Sequence, residues 1–154
     1  ENRETHVQFY DAKLIAGQQH LYFAALNALK AFERKSNISS SLAIEALLYA
    51  SAQRQIRKVV DILGIKEDSS QVAVLIIAEN RQRTDNCLKA ISRLVPGERD
   101  DGVLELADEK IRDIKELFGI SDLEIEAKVK GKSLEKEALV DLVIEHMALL
   151  ATQS

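Results

Sequence analysis

The sequence predicts a single α/β domain with helices on both faces of a sheet, and three observations carry that expectation. Residues Val72 to Ala78 (VAVLIIA) form an unbroken, β-branched apolar run bounded by Ser69, Ser70 and Asn80. That is the pattern of a strand covered on both faces. Residues His6 to Ala12 (HVQFYDA) alternate instead, with Val7 and Phe9 on one side and Gln8 and Tyr10 on the other, as a half-buried strand does. Elsewhere the apolar residues recur at three-and-four spacing, the period of amphipathic helices.

After the first strand Gly17 breaks the chain, and Gln18 to Lys35 reads as a helix with Tyr22, Ala25, Leu26, Leu29 and Phe32 on its expected inner face. Lys30, Arg34 and Lys35 suit its C-terminal end, where cations oppose the helix dipole. The stretch Ser39 to Gly64 is the centre of the chain. From Leu42 to Ala52 only Glu45 and Ser51 are polar, so a helix drawn through it has no face for water and must be buried. It is too short to span a bilayer, which takes ~20 residues. Ser39 is the expected N-cap, since a short hydroxyl satisfies the free N–H groups of a first turn. At Gln53 the helix should break or surface, because Gln53, Arg54, Gln55, Arg57 and Lys58 arrive together. Ile56, Val59, Val60 and Leu63 then restore an apolar stripe up to Gly64.

Beyond the second strand, Thr84 or Asp85 is expected to cap a helix carrying Leu88, Ile91, Leu94 and Val95, stopped by Pro96-Gly97. Val103 to Leu106 reads as a short strand, and Asp108 as the cap of a helix through Ile111, Ile114, Leu117 and Phe118. In Ser121 to Gly131, Ser121 and Glu124 fit a capping box. Leu123, Ile125, Ala127 and Val129 nonetheless alternate with charged residues, and the local pattern favours a strand. Leu134 to Leu150 closes the chain as a helix with two apolar arcs. Ala138, Leu139, Leu142, Leu149 and Leu150 form one, and Val140, Ile144 and Met147 the other. A second arc means burial deep in the domain or an external partner, because each large aliphatic left in water forgoes ~1.5–3 kcal/mol.

Composition narrows the function. The 154 residues are 46% hydrophobic and 30% charged, an ordinary globular balance without repeat, low-complexity tract or linker. One Cys excludes an internal disulfide and fits a reducing, cytoplasmic compartment. No apolar run approaches membrane-spanning length, so no membrane partner is expected. The net charge of −4 hides an asymmetry: residues 1 to 97 hold 13 Lys/Arg against 10 Asp/Glu (+3), and residues 98 to 154 hold 8 against 15 (−7). Such a division suggests two surfaces with different partners.

Catalytic patterns are absent from the sequence. It has no glycine-rich phosphate loop, no GxSxG elbow and no zinc spacing. His6, His20 and His146 fall on three separate elements, so neither a metal nor any other cofactor is expected. Cys87 reads as a small buried hydrophobe, and Glu45 as a carboxylate that must meet a backbone N–H or a basic neighbour. What remains is binding, and the sequence points to an accessory protein rather than an enzyme. Arg54, Gln55, Arg57 and Lys58 supply donors that phosphates and base edges accept, with Ile56 among them and Tyr49 as a stacking face for an unpaired base. Asn80, Arg81 and Arg83 form a second polar cluster at a strand end, where ligands sit in α/β sheets. A solvated helix end with a basic loop would show the same residues, and a small-molecule pocket at the strand ends is a further alternative.

Four segments carry a resemblance: NISSSLAIEALLYASAQRQI, the Val/Ile strand ending AEN, ELFGIS, and VDLVIEHMALL. In order and over nearly the whole chain they resemble the small PRPK-binding (TPRKB-like) subunit of the KEOPS complex, in its archaeal form. The resemblance implies an α/β fold with a small central, largely antiparallel sheet flanked by helices, and a short helix in the Ser121 region. It implies a non-catalytic subunit whose direct partner is the complex's atypical kinase/ATPase. That complex threonylcarbamoylates the adenosine next to the anticodon of tRNA, and the subunit recruits tRNA by its single-stranded 3′ CCA end. Arg54, Gln55 and Ile56 match the family's RQI motif, and Asn80 the Asn closing its strand. The kinase-contacting residues expected are Val140, Ile144 and Met147, from the second arc of the last helix. The alternative is a protein-only regulator of the kinase without RNA binding.

Overall fold

The computed structural model describes residues 4–129 and 135–152. Strands β1 (His6–Asp11) and β2 (Val72–Ile77) pair antiparallel, His6 opposite Ile77 and Asp11 opposite Val72. Among the described residues seven α-helices accompany this small sheet, so the chain is a mixed α/β fold. Only Ala73 of β2 is buried, the other five residues being half-buried. A two-stranded sheet has too little neighbouring structure to enclose every apolar side chain of that run.

Helix α1 (Gln18–Glu33) turns an unexpected side inward. His20, Leu21, Ala24, Ala28 and Ala31 are buried, whereas Tyr22 is 62% and Leu29 43% exposed. Ala25, Leu26 and Phe32, the rest of the expected inner face, are half-buried. Both sets obey helical spacing, so periodicity could not choose between them. The alanine side lets α1 lie close against α2 (Leu42–Ser51), its most extensive helix partner.

The central stretch is two helices. α2 ends at Ala52, whose φ of 53° is left-handed, and α3 runs over Ile56–Leu63. The N–H groups of Ala52 and Gln53 donate to the carbonyls of Tyr49 and Leu48 at 3.0 and 3.1 Å, a Schellman closure with alanine where glycine is usual. Ser41, not Ser39, caps α2, its Oγ accepting the Ile44 N–H at 3.3 Å. Ser39 lies in the loop before it, where Glu45 reaches back. The fully buried Glu45 carboxylate accepts the N–H of Ile38 at 3.0 and 3.1 Å and that of Ser39 at 2.8 Å.

Asn80 caps α4 (Arg81–Leu94), its Oδ1 accepting the Arg83 N–H at 2.9 Å. Thr84 and Asp85 therefore fall within the helix, and the helix packs on β2 without a fully buried residue. Leu88 and Ile91 are half-buried, while Leu94 and Val95 face water. The strand expected from Val103 to Leu106 is instead a 3-10 turn over Asp101–Leu104. Its carbonyls are occupied from inside the chain: the Lys110 ammonium donates to those of Val103 (2.8 Å) and Glu105 (3.3 Å). Helix α5 (Asp108–Phe118) follows Ala107, with Asp108 as a first-turn acid rather than the cap.

Helix α6 (Asp122–Lys128) replaces the alternating strand. Ser121 and Glu124 form the full capping box, and among the described residues the segment's main partner is helical, with no strand beside it to use the alternation. Lys130 and Gly131 lie outside the described residues, as does Leu134 at the start of the last expected helix. Helix α7 (Glu135–Leu150) packs against α1, α2, α5 and α6. Burial claims Ala138, Leu139, Leu142 and Leu150 of one arc and Met147 of the other, while Val140 and Ile144 are half-buried and Leu149 is exposed.

Candidate functional site

The Schellman turn at Ala52 takes the chain out of the core and sets Arg54, Gln55, Arg57 and Lys58 in solvent. Ile56 and Val60, one turn apart on α3, are 41% and 43% exposed. Val59 and Leu63 on the other side are buried and anchor the helix. The surface is therefore mixed, two aliphatic side chains among cationic and amide groups.

His20 clamps the root of this surface. The Ala16 N–H donates to its Nδ1 at 2.9 Å, and its Nε2–H donates to the carbonyl of Ala50 at 2.7 Å. Only the neutral ring can do both. Complete burial pushes its pKa down to about 4, and the nearby Lys110 charge works the same way. Phe118 meets the ring edge-on at 5.8 Å. Burial also pushes the Lys110 ammonium down to about 8.

Tyr49 does not offer the expected stacking face. It is 4% exposed, because its position on α2 points into the core that encloses that helix all round. Burial raises its phenol pKa, as does the Glu45 carboxylate, while the Arg34 and Arg54 charges act in the opposite sense.

The second polar cluster surrounds an open groove of about 610 Å³ lined by Thr5, Val7, Asn80, Gln82, Arg83, Asn86 and Cys87. Asn80 is engaged as the α4 cap, Arg83 pairs with Glu79 at 3.9 Å, and Arg81 is exposed. Arg54 and Gln55 do not line this groove. Thr5, Gln82 and Asn86 were not legible as site residues. Reading Asn80 as the cap, three residues before Arg83, would have placed Gln82, Arg83 and Asn86 on neighbouring turns at the helix entrance.

Of the second arc of α7, Met147 has no exposed surface, and Val140 and Ile144 are half-buried. Met147 is a core residue that no partner can reach in the folded chain. Among the described residues no three His, Cys, Asp or Glu side chains converge to hold a metal ion. No helix described is long and apolar enough to cross a membrane.

Comparison with known proteins adds two findings. A family model described as kinase binding protein CGI-121 matches residues 1–151. The regulatory protein Cgi121 of Methanocaldococcus jannaschii is 33% identical over 135 residues, covering 88% of this chain and 83% of that protein.

Proposed function

The chain belongs to the CGI-121 family of kinase-binding proteins, and from that premise we propose that it is a non-catalytic regulatory subunit of the KEOPS complex. It binds the atypical kinase/ATPase and recruits tRNA through the single-stranded 3′ CCA end for threonylcarbamoylation of the adenosine beside the anticodon. It acts as one domain over residues 1–154, in the cytoplasm. Family membership supports the kinase partner. The tRNA role rests on one observation, the exposed segment Arg54 to Lys58 held on a rigid turn.

Arg81 and Arg83 add support. They occupy the first turn of α4, which contains no acid. The exposed Arg81 opposes the helix dipole there by ~0.3–1 kcal/mol, a cost that a phosphate would relieve, whereas Arg83 already has Glu79 beside it. Val140 and Ile144 remain candidate margins of the kinase contact, with Met147 supporting them from beneath. The protein-only reading draws on the loss of Tyr49 as a stacking platform and on the absence of Arg54 and Gln55 from the Asn80 groove.

Gel-shift titration with tRNA, and with tRNA lacking its 3′ CCA, decides between the two. Tighter binding of the intact tRNA is expected, with a shallow salt slope of ~0.7 per neutralised phosphate. Equal affinities would remove CCA recognition, and no affinity for either would leave the protein-only regulator. Arg54→Ala should weaken tRNA binding about tenfold with the melting temperature unchanged.

A further inference from the structure

The exposed side of α1 is the largest discrepancy between sequence pattern and structure. The helix hides three alanines and leaves Tyr22 and Leu29 in water, with Leu26 half-buried between them. Tyr22, Leu26 and Leu29 lie three and four residues apart and so form a continuous stripe. Apolar surface left in water is unfavourable, so the arrangement has a cost that a partner would recover.

Of the other exposed apolar residues, Ile65, Leu123 and Leu149 fall on the loop after α3, on α6 and on α7. Leu94 and Val95 end α4, a helix without a buried residue that packs only on β2 among the main contacts. Ile56 and Val60 sit among the cations of the proposed tRNA surface. The α1 stripe, by contrast, stands on a helix fixed by α2, α7 and β2. Tyr22, at one end of the stripe, is of a residue type enriched in binding hot spots, and a rigid helix presents it.

Charge identifies the complement. Residues 18 to 35 carry Lys30, Arg34 and Lys35 against Glu33 alone, net +2 within a chain of net −4. These cations are exposed at one end of the stripe.

We infer that the outer face of α1, centred on Tyr22 and Leu29, is the docking surface for the kinase, which offers it an apolar groove bordered at one end by carboxylates. The inference rests on the kinase-binding role proposed above and gives it a location. α1 packs against α7, so Val140 and Ile144 lie on a neighbouring helix.

The test is affinity measurement, by calorimetry, between the purified kinase subunit and the chain carrying Tyr22→Asp or Leu29→Asp. Kinase affinity should fall at least tenfold, with tRNA affinity unchanged and the melting temperature within about 2 °C. If Leu29→Asp unfolds, Tyr22→Asp, at the more exposed position, decides alone. Lys30→Glu with Lys35→Glu should slow association about tenfold at low salt and little at high salt, as expected when rim charges steer encounter. Undiminished kinase binding by Tyr22→Asp overturns the inference. So does a wild-type homodimer, seen by sedimentation, that Tyr22→Asp dissolves while kinase binding stands, since a second copy would then be the occupant. A wild-type chain that does not bind the kinase defeats the proposed function itself, and this location with it.

Discussion

His20 and Glu45 show how single polar groups are made tolerable inside this core. Both are fully buried, and each answers backbone groups that would otherwise lack a partner. Glu45 fastens the loop before α2 through the N–H groups of Ile38 and Ser39, which solves the desolvation problem the sequence raised for a lone carboxylate. His20 joins the start of α1 to the end of α2 through Ala16 and Ala50, and only as the neutral imidazole. Its folded pKa of about 4 lies below the ~6.5 of an unfolded chain. The unfolded state therefore takes up the proton first as pH falls. Stability is lost from about pH 6.5 down to about pH 4, by up to about 3 kcal/mol at the lower limit. Urea denaturation at pH 7, 5.5 and 4.5 should show this decline. His20→Gln should be less stable at pH 7 with a flatter dependence; an unchanged slope would assign the acid sensitivity to other groups.

At the scale of elements, the αL residue ending α2 separates core from surface. Ala52 closes the helix in a conformation that costs a non-glycine residue ~1–2 kcal/mol. Lys35 does the same after α1, with φ 60°, while α5 uses Gly119. Replacing Ala52 by glycine removes the strain but gives back ~0.5–1 kcal/mol through the freer unfolded chain. Ala52→Gly should thus raise stability by about 0.5–1 kcal/mol, or the melting temperature by about 1–4 °C. A calorimetric scan checks it, and a lowered melting temperature would show that alanine packing at this position outweighs backbone strain. α6 illustrates a different conflict. Its alternation and its capping box coexist in Ser121 to Val129. The box won because its bonds are local, whereas a strand needs a neighbour that the surrounding helices do not supply.

For the whole molecule, the decisive fact is the position of α7 among four other helices. Met147, read from the second arc as a contact for a partner, is enclosed on every side. Met147→Ala should accordingly cost about 2–5 kcal/mol and lower the melting temperature by roughly 5–15 °C. Thermal melting monitored by circular dichroism measures it; a change within about 0.5 kcal/mol would place the side chain outside the core. The partner-facing apolar surface moves instead to α1. The basic segment Arg54 to Lys58 does not line the Asn80 groove.

The sequence by itself determined which segments are strands and helices wherever one period was unambiguous: His6 to Asp11, Val72 to Ile77, the apolar body of α2 and the exposed polar segment after it. It also located Glu45 as a residue requiring partners, since burying a lone carboxylate is prohibitive whatever the fold. Only the tertiary structure decided which side of a helix faces in. Both sides of α1 and both arcs of α7 are apolar at helical spacing, so the choice rests on closeness of approach and on the number of neighbours. Those are properties of the packed whole, absent from any single segment: small alanines won against α2, and the four helices around α7 enclosed Met147 while leaving Leu149 in water.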